Sequence, residues 1–192
     1  SSDVCSSDLD AEYPIIYAEK GATIFDIVKE IDVLEDESIK INYIKGGNRA
    51  NMVPDYCEAS ISGLSYEWLT SHIEKFNQKE GLKVLLEQEN ENIIIKTYGV
   101  SAHGSTPERG KNAIMFMMDI LSNIDISNNS LKKFISFVNK NISYDVYGRN
   151  FGVYLEDKAS GKLSFNVGVI NYNEGKIDRK STRLNSSHPG YL

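Results

Sequence analysis

Apolar and polar residues alternate strictly through SIKINYIKGG, residues 38–47, which predicts a strand stopped by two glycines. Ile39, Ile41, Tyr43 and Lys45 then share one face, and Lys40, Asn42 and Ile44 the other. PIIYAEKGATIFDIV (14–28) predicts two strand segments around Gly21, and YCEASISG (56–63) predicts another strand. The period then changes. In SYEWLTSHIEKFNQKEG (65–81) Leu69, His72, Ile73 and Phe76 recur at helical spacing, with Ser65 as N-cap and Gly81 just past the end. LKVLLEQ and NIIIKTYGV, separated by the polar ENEN, predict an antiparallel hairpin.

Further along, a helix is predicted from about Asn112 to Asn123, with Ile114, Met117, Ile120, Leu121 and Ile124 facing inward. Leu131, Phe134, Ile135, Val138 and Ile142 outline a second one. FGVYLED and KLSFNVGVINYN predict two more strands joined across KASG. Strands and helices come in small antiparallel groups, not in βαβ units. The expected fold class is therefore α+β: antiparallel sheets with helices packed on one face.

The two ends break this pattern. SSDVCSSDL (1–9) and RKSTRLNSSHPGYL (179–192) are serine-rich, carry no period and resemble translated adapter sequence. Both are expected to be non-native, which leaves residues 10–178 as an internal piece of a longer enzyme. Composition narrows the class. At 41% hydrophobic and 25% charged, the 192 residues are neither disordered nor membrane-spanning in type, and no apolar run approaches the ~18 residues of a membrane helix. A net charge of −6 argues against nucleic acid or an anionic membrane as partner. Cys5 and Cys57 make no disulfide framework, and no signal peptide is visible, so a cytoplasmic protein is expected.

Candidate chemistry is sparse. Zinc needs three or four converging ligands, and the core offers only His72, His103 and one cysteine among its softer donors. His72 shares a helical face with Leu69, Ile73 and Phe76 and reads as packing; Cys57, inside a strand pattern, reads as a small buried hydrophobe. His103 differs. Gly99, Ser101, Ala102, Gly104 and Ser105 clear space around it, and Pro107 and Gly110 direct the chain into the next helix. Such a loop can present an imidazole to a ligand, although a surface histidine in a Gly/Ser loop fits equally well. GGNRANMVPDYCEA (46–59) reads most simply as a loop between strands.

Taken in order, DAEYPIIYAEKG, GGNRANMVPDYCEA, YGVSAHGSTPERGKNA and LSFNVGVINYNEGK resemble the dinuclear-zinc dipeptidases of the PepV and Sapep type. These belong with the ArgE, DapE and carnosinase-like metallopeptidases, and the likeness covers nearly the whole core. It implies a catalytic domain holding two metals and an inserted lid that closes over the substrate. Residues 10–20 would end a catalytic-domain segment and 21–178 would form an incomplete lid domain. Asp10 would be a metal ligand, His103 would reach from the lid to the oxyanion of the scissile carbonyl, and Asn51 would lie near the substrate. The implied cofactors are two zinc ions, with manganese or cobalt as substitutes, and the implied partner is a dipeptide. A preorganised donor such as His103 typically stabilises a transition state by ~3 kcal/mol.

The departures are equally definite. The family's upstream H-x-D, bridging Asp, E-E pair, late His and substrate-carboxylate Arg are absent, and Leu9 replaces the usual Pro before Asp10. The chain alone is therefore expected to be inactive. Two rival readings stand beside the dipeptidase: a related amidohydrolase acting on N-acyl amino acids, and a non-catalytic dimerisation or binding module.

Overall fold

The computed structural model describes residues 20–32, 37–76, 80–173, 176–178 and 182–187. Its first half runs β1 (Lys20–Phe25), β2 (Lys29–Glu30), β3 (Lys40–Gly46), β4 (Met52–Val53), β5 (Tyr56–Ser62), α1 (Tyr66–Ile73), β6 (Lys83–Glu89) and β7 (Asn92–Tyr98). Then come β8 (Ala102–His103), α2 (Ala113–Ser122), α3 (Asn129–Asn141), β9 (Glu156–Asp157), β10 (Gly161–Lys162), β11 (Ser164–Val167), β12 (Ile170–Asn173), β13 (Lys176–Asp178) and β14 (Thr182–Ser187).

Seven strands form one antiparallel sheet in the order β2-β13-β12-β3-β5-β7-β6. The β6–β7 hairpin is the predicted one, with Glu89 opposite Asn92 at its tip. The helices lie on one face. Phe76, just past α1, meets Phe116 of α2 edge-to-face at 6.3 Å, and α2 packs on β5 and β7. The other face carries Lys45, Glu58, Glu87 and Lys96, with Lys96 paired to Glu87. This is the expected α+β layer.

Strand β3 corrects the predicted alternation. Ile41 opposes Ile61 while Tyr43 opposes Ser60, so Asn42 is an extra residue in a bulge. One extra residue reverses the phase of everything after it. Ile44 and Gly46 therefore join Ile41 in the core, and Tyr43 and Lys45 turn outward. The bulged Asn42 donates to Ser60 Oγ and to Asn92 Oδ1, both at 3.2 Å.

Helix α3 buries Leu131, Phe134, Ile135 and Val138, the stripe its sequence predicts. Helix α2 is different. Every side chain from Ala113 to Met118 is buried, as are Ile120 and Leu121, because α3 and Phe76 cover what the sheet does not. Met115, Phe116 and Met118 thus face apolar neighbours where a one-sided helix would face water. Helix α1 is shorter than predicted: it ends at Ile73 and tightens into a 3-10 turn over Glu74–Phe76. Ser65 caps its start, its Oγ accepting from the Trp68 N–H at 3.1 Å. Gly81 has φ of +73°, in a separate turn before β6 and not at the helix end.

FGVYLED is mostly irregular, contributing only the two residues of β9 paired with β10. KLSFNVGVINYN divides at Gly168 and Val169: β12 joins the large sheet and β11 a smaller one of order β1-β14-β11. Residues 182–187, set aside above as non-native, form the middle strand of that smaller sheet. Gly21 lies within β1, and the other predicted segment around it falls outside the described residues.

Candidate functional site

A second two-stranded ladder, β4 with β8, joins the two stretches singled out in the sequence. Met52 pairs with His103 and Val53 with Ala102. The ladder is extended by the Gly104 N–H, which donates to the Asn51 carbonyl at 2.7 Å. A Cβ on Gly104 would lie 2.9 Å from that oxygen, so only glycine permits this approach. Val100 and Lys111 exchange two backbone bonds of 3.0 and 2.8 Å, closing the loop at its base.

Strand β11 fastens the loop from below. Ser164 and Asn166 are almost fully buried, at 3% and 4% exposure, and both spend their polar groups here. The Ser164 hydroxyl donates to the Ser105 carbonyl at 2.7 Å, and Asn166 Nδ2 donates to the Met52 carbonyl at 2.8 Å. Asn112 completes the frame. Its Oδ1 caps α2 by accepting from the N–H groups of Ile114 and Met115, at 2.9 and 3.1 Å. Its Nδ2 donates to Asn166 Oδ1 and to the Val167 carbonyl, at 3.2 and 2.9 Å. Buried amides and hydroxyls satisfied in this way fix one geometry, because each would be costly left unpaired.

On this frame the His103 ring is exposed, with Nδ1 2.6 Å from Ser105 Oγ and 3.2 Å from the Ser105 backbone nitrogen. Asn51 is half-buried, and its side-chain amide makes no hydrogen bond among the described residues. The structure therefore brings together His103 and Asn51, which are 52 positions apart in sequence order. Asp10 lies outside the described residues. Among the described residues no group of three or more His, Cys, Asp or Glu side chains could hold a metal ion. The residues described do not fit a metal pair.

Two cavities flank the loop. One, of about 420 Å³, is lined by Gly46, Gly47, Arg49, Met52, Tyr56 and Ser101 among others. Tyr56 donates to Glu58 Oε2 at 2.7 Å, and burial together with that carboxylate raises its phenol above the ordinary value. The larger, about 520 Å³, lies behind the loop between Asn112, Met115, Tyr144 and Phe165. Neither is lined by His103 or Asn51, so the chemistry points to the loop surface beside Met52 and Ser101, not to the larger void.

The other two candidates pack. Cys57 is fully buried, and burial pushes its thiol well above the ordinary value. His72 stacks on Trp68 at 4.7 Å, and its Nε2 is buried without a partner among the described residues. Burial, and secondarily Lys75, holds the His72 ring below the usual imidazole range. Sequence reasoning placed Ser105 beside His103 only as a small neighbour, and missed Ser164 and Asn166. LSFN gave no signal for the last two: Ser164 and Asn166 alternate with Leu163, Phe165 and Val167 as an outward face would, and all four residues of β11 are buried.

Residues 92–182 match the family described as a peptidase dimerisation domain. The chain is similar to a Bacillus subtilis protein named "Putative dipeptidase YtjP", 33% identical over 170 residues that cover 87% of the chain and 36% of that protein. A "Putative dipeptidase" of Staphylococcus epidermidis is 32% identical over 184 residues, 91% of the chain and 38% of its own length. In Staphylococcus aureus, "Putative dipeptidase SAR1836" is 30% identical over 168 residues, 85% of the chain and 35% of its own. The chain thus spans between a third and two fifths of the length of these relatives.

Proposed function

We propose, from the premise that this chain belongs with the M20 peptidases through the dimerisation domain it carries, that it forms the lid part of a metal-dependent dipeptidase. The observation that supports this reading best is the exposed His103 ring, held by a loop whose backbone is tied to Asn51, β11 and Lys111. An imidazole N–H fixed in this way can donate to the oxyanion that forms when a peptide carbonyl is attacked. Asn51, whose amide makes no hydrogen bond among the described residues, would contact the peptide itself.

In the whole protein residues 21–178 would be lid, residues 10–20 would end a catalytic segment, and the outermost residues would be non-native. Two zinc ions, or manganese or cobalt, would supply the activated water, with Asp10 among their ligands. The protein would act in the cytoplasm on dipeptides, and the 192 residues alone would be inactive. No helix among the described residues is long and apolar enough to cross a membrane.

The test is kinetic, in the full-length protein. His103→Ala should lower kcat by ~100-fold or more with KM and metal content moving far less, since an oxyanion bond matures only at the transition state. Asn51→Ala should instead raise KM more than it lowers kcat. An alanine variant at His103 with wild-type kcat sinks the reading. A preference for N-acyl amino acids over dipeptides in the same assay would favour the amidohydrolase instead.

A second reading, self-association, is favoured by β6, which ends the seven-stranded sheet with one edge unpaired among the described residues and Leu85 exposed. Sedimentation of the purified chain distinguishes a monomer from a dimer joined there.

A further inference from the structure

The contacts at His103 carry information about where its proton resides. Nδ1 has a single lone pair and can act as acceptor only while it carries no hydrogen. The Ser105 backbone N–H, 3.2 Å away, can only donate, and it points at Nδ1. The Ser105 hydroxyl, 2.6 Å away, could donate or accept, but with the N–H already committed as a donor only one arrangement satisfies both contacts. In that arrangement the hydroxyl also donates, Nδ1 is bare, and the proton of the neutral ring is on Nε2. The opposite tautomer would set two N–H groups head to head.

Ser105 is itself held. Its carbonyl accepts from the buried Ser164 hydroxyl at 2.7 Å, and the Thr106 N–H donates to the His103 carbonyl at 2.9 Å. The Ser105–Thr106 peptide plane is thus anchored to β11, and the Gly104 N–H bond to the Asn51 carbonyl holds the His103–Gly104 plane. The peptide between them, which presents the Ser105 N–H to Nδ1, is fixed from both sides. We infer that Ser105 is the positioning residue of this site: it locks His103 as the Nε2–H tautomer, with the donor nitrogen turned away from the protein, and Ser164 holds Ser105 in place. This rests on the reading of His103 as an oxyanion donor, which needs a neutral ring with its N–H outward. Ser105 acts through His103 and touches no reacting atom.

The tautomer can be read without catalysis. In the uniformly ¹⁵N-labelled 192-residue chain, long-range ¹H–¹⁵N correlation at a pH where imidazoles are neutral reports each ring nitrogen, and His103→Ala identifies the His103 signals. The wild type should show Nδ1 in the unprotonated range and Nε2 in the protonated range. Ser105→Ala should move Nδ1 toward free imidazole and let the ring average between rotamers, whereas Ser105→Thr, which keeps the hydroxyl, should not. Amide shifts outside residues 99–112 serve as the control for folding. A wild-type ring protonated on Nδ1 overturns the inference, and so does a Ser105→Ala ring indistinguishable from wild type.

In the full-length protein Ser105→Ala should lower kcat roughly five- to tenfold with KM little changed, the scale of one hydrogen bond, and Ser105→Thr should recover most of it. If His103→Ala is crippled while Ser105→Ala is not, the positioning role fails and the oxyanion reading stands. If His103→Ala is itself unaffected, the oxyanion reading fails, and the ring spectrum alone decides whether Ser105 sets the tautomer.

Discussion

Gly104 and Asn51 meet backbone to backbone: the N–H of the residue after His103 donates to the Asn51 carbonyl at 2.7 Å. Two stretches that each look like ordinary loops are thereby one structural unit, and a displacement of either moves both candidate side chains.

Gly104→Ala tests that unit directly. The new methyl group would lie 2.9 Å from the Asn51 oxygen and 3.1 Å from its carbon, and backbone has to give way. Overpacking of this kind costs about 1–3 kcal/mol. The expected result is a lowered melting temperature and, under the proposed dipeptidase function, a loss of kcat in the full-length protein larger than the loss of folded molecules explains. A variant with unchanged stability would show that the two loops can separate freely.

Asn112 has two duties that substitution can separate. Asn112→Ala loses the α2 cap and leaves buried Asn166 Oδ1 without its donor, for a combined cost of about 2 kcal/mol. Asn112→Asp keeps the capping oxygen but gives up the Nδ2 donor to Asn166 and Val167. Urea titration should therefore rank wild type above Asn112→Asp, and both oxygen-bearing chains above Asn112→Ala. If the aspartate variant falls below alanine, repulsion between its carboxylate and Asn166 Oδ1 outweighs the cap.

Trp68 is the single tryptophan and stacks on His72, so its emission reports the charge of that ring. Burial lowers the His72 pKa, so the folded chain binds its proton less readily than the unfolded chain does. The associated stability is present above the unfolded value, about pH 6.5, and is lost as pH falls toward the folded one. Fluorescence quenching on acidification should have its midpoint below the ordinary imidazole value and vanish in His72→Gln. A midpoint at or above that value would contradict the burial of the His72 Nε2 edge.

Cys57 makes a prediction at the opposite end of the pH scale. Its thiol is raised by burial, so above about pH 8.5 the unfolded chain loses a proton that the folded chain keeps, and stability declines with rising pH. Cys57→Ala should flatten that decline between pH 8 and 10, at the cost of a small cavity near Gly46. Native Cys57 should also resist alkylation until the chain is unfolded. Labelling at the native rate of an exposed thiol would show that the strand opens.

Local pattern alone determined the elements whose partners are close in sequence. The β6–β7 hairpin needs only two apolar runs and a polar tip; α3 needs only its Leu131, Phe134, Ile135 and Val138 stripe, and Ser65 announces α1 by its hydroxyl. His103 and Asn51 could be singled out because glycines and small residues around them are unusual enough to carry a family likeness. What the pattern could not contain is any contact that depends on sheet register. The extra residue at Asn42 reverses the faces of β3, and nothing within SIKINYIKGG distinguishes a bulged strand from a regular one. Helix α2 buries nearly all its apolar side chains only because α3 and Phe76 cover what the sheet does not. The pairing of Asn166 with Met52 spans 114 residues, and that of Ser164 with Ser105 spans 59. Those bonds exist because β11 passes beneath the His103 loop, a meeting that many separate strand pairings must first bring about. So, although among the described residues the ring bonds only to its near neighbour Ser105, what holds Ser105 in place was decided by the tertiary structure.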